Sequence, residues 1–352
     1  MLRKAFLRMG RTVEAGLERI GRKPLEAGEA PVLEPYCGYA TPEGWVVRGR
    51  VLTHLRRDEP VPAQSRWTNV RQMAQLFLTD EVAGVPVAAG GARASSDAEG
   101  YVHLTVPPAP RVAGADWVEV AGGIEGLDEA VAFPVRIPRA DARHMVISDV
   151  DDTMIRTGAH NLARNLWTTF TGSALTRDMH ADAAALMGRL TQGGRHPVFY
   201  VSSSPWNLHR FLTVLFERHD LPLGPFFLRD LGLTEDGVGR SHLGHKGEAI
   251  DTIMAANPGL PAYLMGDTGQ KDAQVYLAAI RRHPGRILGV ALREPAPGTT
   301  EDDSGTLAEI AATGVPCWAG PSFDGAAELW GLGGDEDGRG EERDDGPVLR
   351  RA

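Results

Sequence analysis

The sequence predicts an α/β protein in two main parts: a parallel-sheet domain over residues 141–333, preceded by a small β-sandwich-like domain over residues 35–140. Three observations lead there. From residue 141 onward, short apolar runs alternate with stretches of helical period, as strands and helices do in a parallel sheet. Ahead of that point, short runs alternate apolar and polar residues between turn-forming groups, which is the habit of half-buried strands. Finally, three of the later apolar runs close on hydroxyls or carboxylates, where open parallel sheets present their ligand-binding groups.

A chain of 352 residues has room for two domains, and 42% hydrophobic with 24% charged residues is ordinary for a globular protein. The net charge of -9 lacks the basic footprint of a general nucleic-acid binder. Cys37 and Cys317 lie far apart, so they form neither a disulfide framework nor a zinc site. A reducing cytoplasm is the simplest compartment for such a chain. No apolar stretch reaches the roughly 18 residues needed to span a bilayer, and the basic N-terminus lacks the continuous apolar core of a secretory leader.

In order, residues 1–22 read as an amphipathic helix, with Leu2, Phe6, Met9, Val13, Leu17 and Ile20 at spacings of three and four. Arg3, Lys4, Arg8, Arg11, Arg19, Arg22 and Lys23 outnumber Glu14 and Glu18 there. Such a helix either lies on an anionic membrane surface, making residues 1–23 a peripheral membrane contact, or packs its stripe on protein. Gly10, Gly16 and Gly21 weaken it. Residues 24–34, rich in Pro, Gly, Glu and Ala, read as a linker. Strands follow at 45–52, 101–106, 117–120 and 131–135, with turn signals at Asp97-Ala98-Glu99-Gly100 and Ala121-Gly122-Gly123. One helix interrupts them: Val70, Met73, Ala74 and Phe77 have helical spacing behind Thr68 as N-cap. This part carries no catalytic constellation.

In the second domain, strands are expected at 144–148, 197–202, 225–228, 262–266, 286–292 and 315–318. Helices are expected near 181–190, 206–217, 246–256 and 272–282. The charged, Gly-rich stretch 334–352 has too little apolar surface to fold and reads as a disordered tail.

The chemistry sits at four places. Ile147-Ser148-Asp149-Val150-Asp151-Asp152-Thr153 is a strand that ends in carboxylates, with Asp149 and Asp151 spaced to face the same side of an extended backbone. Val198-Phe199-Tyr200-Val201-Ser202-Ser203-Ser204 ends in hydroxyls. Lys246 opens a helical pattern in Gly244-His245-Lys246-Gly247-Glu248. Leu264-Met265-Gly266-Asp267-Thr268-Gly269-Gln270-Lys271-Asp272 is a third apolar run closing on carboxylates. Clustered carboxylates suit a hard cation, and a carboxylate is also a competent nucleophile.

This ordered set resembles the haloacid-dehalogenase superfamily of aspartate-based phosphotransferases. The wording DVDDT, YVSSSPWNL, HKGEAI and GDTGQKD resembles more narrowly the actin-patch type of phosphatidate phosphatase and its bacterial relatives, over roughly residues 141–320. The resemblance implies a Rossmann-like sheet with the first motif on its central strand. It implies a Mg²⁺-dependent phosphatase working through an aspartyl-phosphate, with phosphatidate as substrate. The other readings are a phosphatase of soluble small phosphates or phosphoproteins, and a non-catalytic lipid- or protein-binding module.

On this reading Asp149 is the nucleophile, Asp151 the general acid and then base, and Lys246 neutralises the phosphoryl group. Ser202 donates to a phosphate oxygen with the Ser203 amide nearby, and Lys271 with Gln270 reaches the substrate headgroup. Metal ligands are Asp149, Asp267 and the Asp151 carbonyl, with Asp272 either behind them or ligating directly. Thr153 orders the loop, and neither His209 nor His245 is given a chemical role. The superfamily places its cap between Met154 and Met179 or between Leu228 and Lys246; both stretches are short here. That leaves a minimal cap and an open site, with Leu162, Leu166, Trp167 and Phe170 either touching substrate or packing on the core.

Overall fold

A computed structural model of the chain describes residues 30–54, 81–110, 114–155, 179–229, 242–269, 271–294 and 301–332. The expected N-terminal helix, the helix behind Thr68, Gln270, the 334–352 tail and most of both cap positions, with Leu162, Leu166, Trp167 and Phe170, lie outside those residues.

The first part is built from β1 (Val32–Thr41), β2 (Gly44–Leu52), β3 (Pro86–Ala89), β4 (Ala92–Ser95), β5 (Tyr101–Val106), β6 (Trp117–Ile124) and β7 (Ala130–Arg136). Instead of the two sheets of a sandwich, they form one seven-stranded sheet in the order β4-β3-β6-β7-β1-β2-β5. The sheet curls until β4 lies beside β5, and it closes over a core that includes Leu33, Trp45, Val47, Val87, Leu104, Val120 and Phe133. Two expectations change. The linker to residue 34 is already strand at its end, because Val32 and Leu33 pair with Leu52 and Val51. Ala121-Gly122-Gly123 is not a turn but the middle of β6. A Cβ on Gly122 would stand 2.6 Å from the Ala88 carbonyl oxygen and 2.9 Å from the Phe133 ring, so close approach of β3 requires the glycine. The Asp97–Gly100 turn does form: Gly100 has φ +79° and Asp97 Oδ1 accepts from the amides of Glu99 and Tyr101.

The second part holds β8 (Met145–Ser148), β9 (Val198–Pro205), β10 (Phe226–Arg229), β11 (Ala262–Asp267), β12 (Ile287–Arg293) and β13 (Cys317–Gly320), in the order β10-β9-β8-β11-β12-β13. Every neighbouring pair is parallel. The helices are α1 (Ala181–Thr191), α2 (His209–Arg218), α3 (His242–Ala256), α4 (Asp272–Arg282), α5 (Glu301–Ala312) and α6 (Asp324–Leu329). α1, α2 and α6 pack with Val146 and Val198 on one face of the sheet. α3, α4 and α5 pack with Met145, Ile147 and Leu264 on the other. β8 is therefore buried on both faces, which is why it reads as an unbroken apolar run. Each such Ile, Leu or Phe contributes on the order of 1.5–3 kcal/mol by leaving water. The chain runs outward from β8 through β9 to β10, then returns to β11 beside β8. The switch point between β8 and β11 opens a crevice at their carboxyl ends.

The two parts share an interface. All nine residues of β2 are buried. Trp45, Val47 and Val51 enter the curled sheet's own core, whereas Val46, with Tyr39 of β1, joins the core beneath α3 and α4. The Arg48 guanidinium crosses the boundary to donate to the Phe226 carbonyl oxygen at 2.9 Å. Among the described residues no helix is long and apolar enough to cross a membrane.

Candidate active site

Asp149 leaves the end of β8 with its amide donating to the Met265 carbonyl oxygen of β11 at 2.8 Å. That same oxygen accepts the Tyr276 hydroxyl of α4 at 2.6 Å, so one carbonyl ties β8, β11 and α4 together. The chain then turns. Asp152 sits in the left-handed region at φ 58°, which Asp tolerates better than most residues. The turn carries Thr153 back, and its Oγ1 donates to Asp149 Oδ2 at 3.0 Å, the loop-ordering role expected of it.

α3 begins at His242, four residues ahead of its expected start, and brings Lys246 under the sheet edge. Lys246 Nζ donates to Asp149 Oδ1 at 2.7 Å and to Asp272 Oδ1 at 2.5 Å. Asp272 stands in the first turn of α4, where the helix dipole favours an anion. Gly266 makes room for it, since a Cβ there would lie 2.7 Å from both Asp272 Oδ2 and the Tyr276 hydroxyl. Asp267 Oδ2 accepts the Gly269 amide at 3.2 Å, while Asp267 Oδ1 is buried without a hydrogen-bond partner.

The electrostatics follow from burial. Loss of water opposes the charged ammonium of Lys246, but the carboxylates of Asp149 and Asp272 outweigh it and hold the group protonated, well above its ordinary value. Burial pushes Asp149 above the usual carboxylate range, against the pull of Lys246 and with added repulsion from Asp272 and Asp151. Asp267 is raised by burial and then by Asp272 and Asp149.

Asp149, Asp267 and Asp272 each offer an oxygen within 4.8 Å of the others. Three hard oxygen donors at this spacing, beside the orphaned Asp267 Oδ1, fit a divalent cation. The Asp151 side chain is not in that group. Its Oδ2 accepts the hydroxyls of Ser202 and of Ser204, both at 2.8 Å. Ser202 therefore departs from its expected place: it is fully buried, its one proton goes to Asp151, and its oxygen accepts the Ser204 amide at 2.9 Å. Ser203 is half-buried at the end of β9. Lys271 is exposed, with φ 69°, immediately before α4. His209 is packed against Tyr36, Trp206 and Phe226, and burial lowers it to about 3, aided by Arg48. His245 Nε2 is buried and unpartnered. The three-serine run is the one sequence signal for Ser204, and none marks Tyr276.

Residues 144–294 match the family described as phosphatidate phosphatase APP1, catalytic domain. The chain is similar to an uncharacterized protein of Schizosaccharomyces pombe, 26% identical over 165 residues, which is 46% of this chain and 27% of that protein. It thus spans about a quarter of the curated relative's length. Among solved structures, it is similar to the haloacid-dehalogenase domain of the Legionella pneumophila effector Lem4 (an inactive mutant), at 14% identity and TM-score 0.31, covering 49% of this chain and 94% of that one. It is also similar to a chain of a Pnkp1/Rnl/Hen1 complex, at 13% identity and TM-score 0.30, covering 53% and 52%.

Proposed function

We propose, from the match of residues 144–294 to the family described as phosphatidate phosphatase APP1, catalytic domain, that this chain is a phosphoric monoester hydrolase that converts phosphatidate to diacylglycerol and inorganic phosphate. The observation that carries the reading is the meeting of Asp149, Asp267, Asp272 and Lys246 at one sheet edge. A cluster with three carboxylates and one ammonium has no structural economy, since buried ions rarely stabilise a fold beyond what apolar packing would.

Asp149 attacks phosphorus and forms an acyl-phosphate, while the bond from phosphorus to the alkoxy leaving group breaks. Asp151 protonates that alkoxide as it departs, then takes a proton from the water that attacks the phosphoenzyme. The second displacement releases inorganic phosphate and restores the Asp149 carboxylate. Lys246 and the Ser203 amide offset charge on the transferring group, Ser202 keeps Asp151 in place, and Lys271 meets the headgroup. Mg²⁺ would be held by Asp149, Asp267 and the Asp151 carbonyl, with Asp272 behind or beside them, and would neutralise the phosphoryl oxygens. The carboxylates must be ionised to bind it, so the raised pKa values of Asp149 and Asp267 would make binding release protons. Residues 1–23 provide the contact with an anionic membrane surface in the cytoplasm.

The test is phosphate release from dioctanoyl phosphatidate and from glycerol 3-phosphate, with Mg²⁺ and with EDTA. Turnover of phosphatidate that EDTA and Asp149→Asn both abolish is the expected result. Activity surviving in Asp149→Asn overturns the nucleophile, and preference for glycerol 3-phosphate moves the substrate to soluble phosphates. Deletion of residues 1–23 should reduce sedimentation with phosphatidylserine vesicles; unchanged binding rejects the membrane role.

A further inference from the structure

One part of the interface between the curled sheet and the parallel-sheet domain has an unusual composition. Trp206 opens the 3₁₀ turn (Trp206–Leu208) that follows β9 directly, two residues after Ser204. Its indole stacks on Tyr36 of β1, centroids 5.1 Å apart and planes within 9°. The Arg48 guanidinium of β2 lies 5.3 Å from the same indole, and 5.2 Å and 5.0 Å from the rings of Tyr39 and Phe227. Arg48 also reaches two carbonyl oxygens, Phe226 at 2.9 Å and Cys37 at 2.5 Å, so it is fixed from both parts at once. The Tyr36 ring sits 4.2 Å from His209 at the start of α2. The indole is thus seated on an aromatic and cationic clamp from the first part, while the chain just ahead of it supplies the Ser204 and Ser202 hydroxyls that fix Asp151.

We propose that Tyr36 and Arg48 are positioning residues for Asp151, acting through Trp206 and Ser204, so that the curled sheet completes the catalytic domain. This rests on the phosphatase reading above. Stacking and cation–π contacts of this kind are strong enough to decide where a short loop rests. A displaced Asp151 loses effectiveness in donating its proton to the departing oxygen, while Asp149, Lys246 and the metal-binding carboxylates are held by other contacts.

That separation supplies the test. Proton donation matters for a basic alkoxide and little for a stable aryl oxide. The measurement is kcat/KM, which reports the first phosphoryl transfer, for dioctanoyl phosphatidate and for p-nitrophenyl phosphate with Mg²⁺. Tyr36→Leu is expected to lower the first about tenfold or more and the second less than about threefold. Ser204→Ala should show the same selective loss, Tyr36→Phe should restore both values to within about twofold of the parent, and Tyr36→Leu with Ser204→Ala together should lose no more than either alone. If Tyr36→Leu does not fold, Arg48→Lys, which keeps the charge but not the forked contact to two carbonyls, carries the same comparison. Equal losses on both substrates, or no loss, overturn the inference while the phosphatase reading stands. A parent protein that turns over neither substrate removes that reading and this inference with it.

Discussion

Replacing Lys246 by Met removes an ammonium from between two carboxylates while keeping the length of the side chain. Nζ lies 2.7 Å from Asp149 and 2.5 Å from Asp272, and all three side chains are at most 3% exposed. At such distances the attraction is about 6 kcal/mol per contact for an effective dielectric constant of about 20. Desolvation of the three ions offsets most of it, so the net cost is that of breaking a buried pair, about 3–5 kcal/mol. For a domain of this size that lowers Tm by about 6–20 °C. The assay is thermal unfolding followed by circular dichroism at pH 7 in EDTA, so that no divalent cation takes over the ammonium's place. Adding Asp272→Asn to Lys246→Met removes one of the stranded charges and should recover part of the loss. A Lys246→Met protein as stable as its parent, or a double variant less stable than Lys246→Met, would refute the reasoning.

Two further outcomes follow from the same frame. Gly266→Ala places a methyl group 2.7 Å from Asp272 Oδ2 and the Tyr276 hydroxyl, and should cost about 1–3 kcal/mol by overpacking, read as a lower Tm, together with weaker Mg²⁺ activation. Asp182 in the first turn of α1 binds Arg293 Nη2 and the Phe323 amide, each at 2.7 Å. Burial works against its charge, but that amide and guanidinium prevail and hold its pKa below the usual carboxylate value. A depressed folded-state pKa contributes stability above the unfolded value and loses it as pH falls through the folded one. Asp182→Asn should therefore cost about 1.5–3 kcal/mol at pH 7, with the gap closing toward pH 3 in parallel denaturant titrations; a gap independent of pH would contradict the assignment.

The parallel sheet was legible because its signals are local. Apolar runs with both faces covered announce buried strands, and the strands expected at 144–148 and 262–266 form within one residue at either end. Asp149 beside β8 and Asp267 at the end of β11 fall into neighbouring positions because those strands pair directly. The features that the sequence does not reveal are either too short or too distant. β3 and β4 are four residues each, and Val32 and Leu33 were masked by their Pro- and Gly-rich neighbours. Gly122 and Gly123 look the same in a turn as in a crowded strand; only the partner strand separates the two cases. The contact from Arg48 to Phe226 joins residues 178 apart. Ser204 was indistinguishable from its two serine neighbours until β9 fixed which hydroxyls reach Asp151.

A strand with no side facing water serves two interiors at once, and β2 is such a strand. Side chains at odd and even positions along it are therefore each constrained, though by different neighbours, and no place in its length is free to drift. Recombining the curled sheet of one such protein with the parallel-sheet half of another would have to transplant both linings of this strand together.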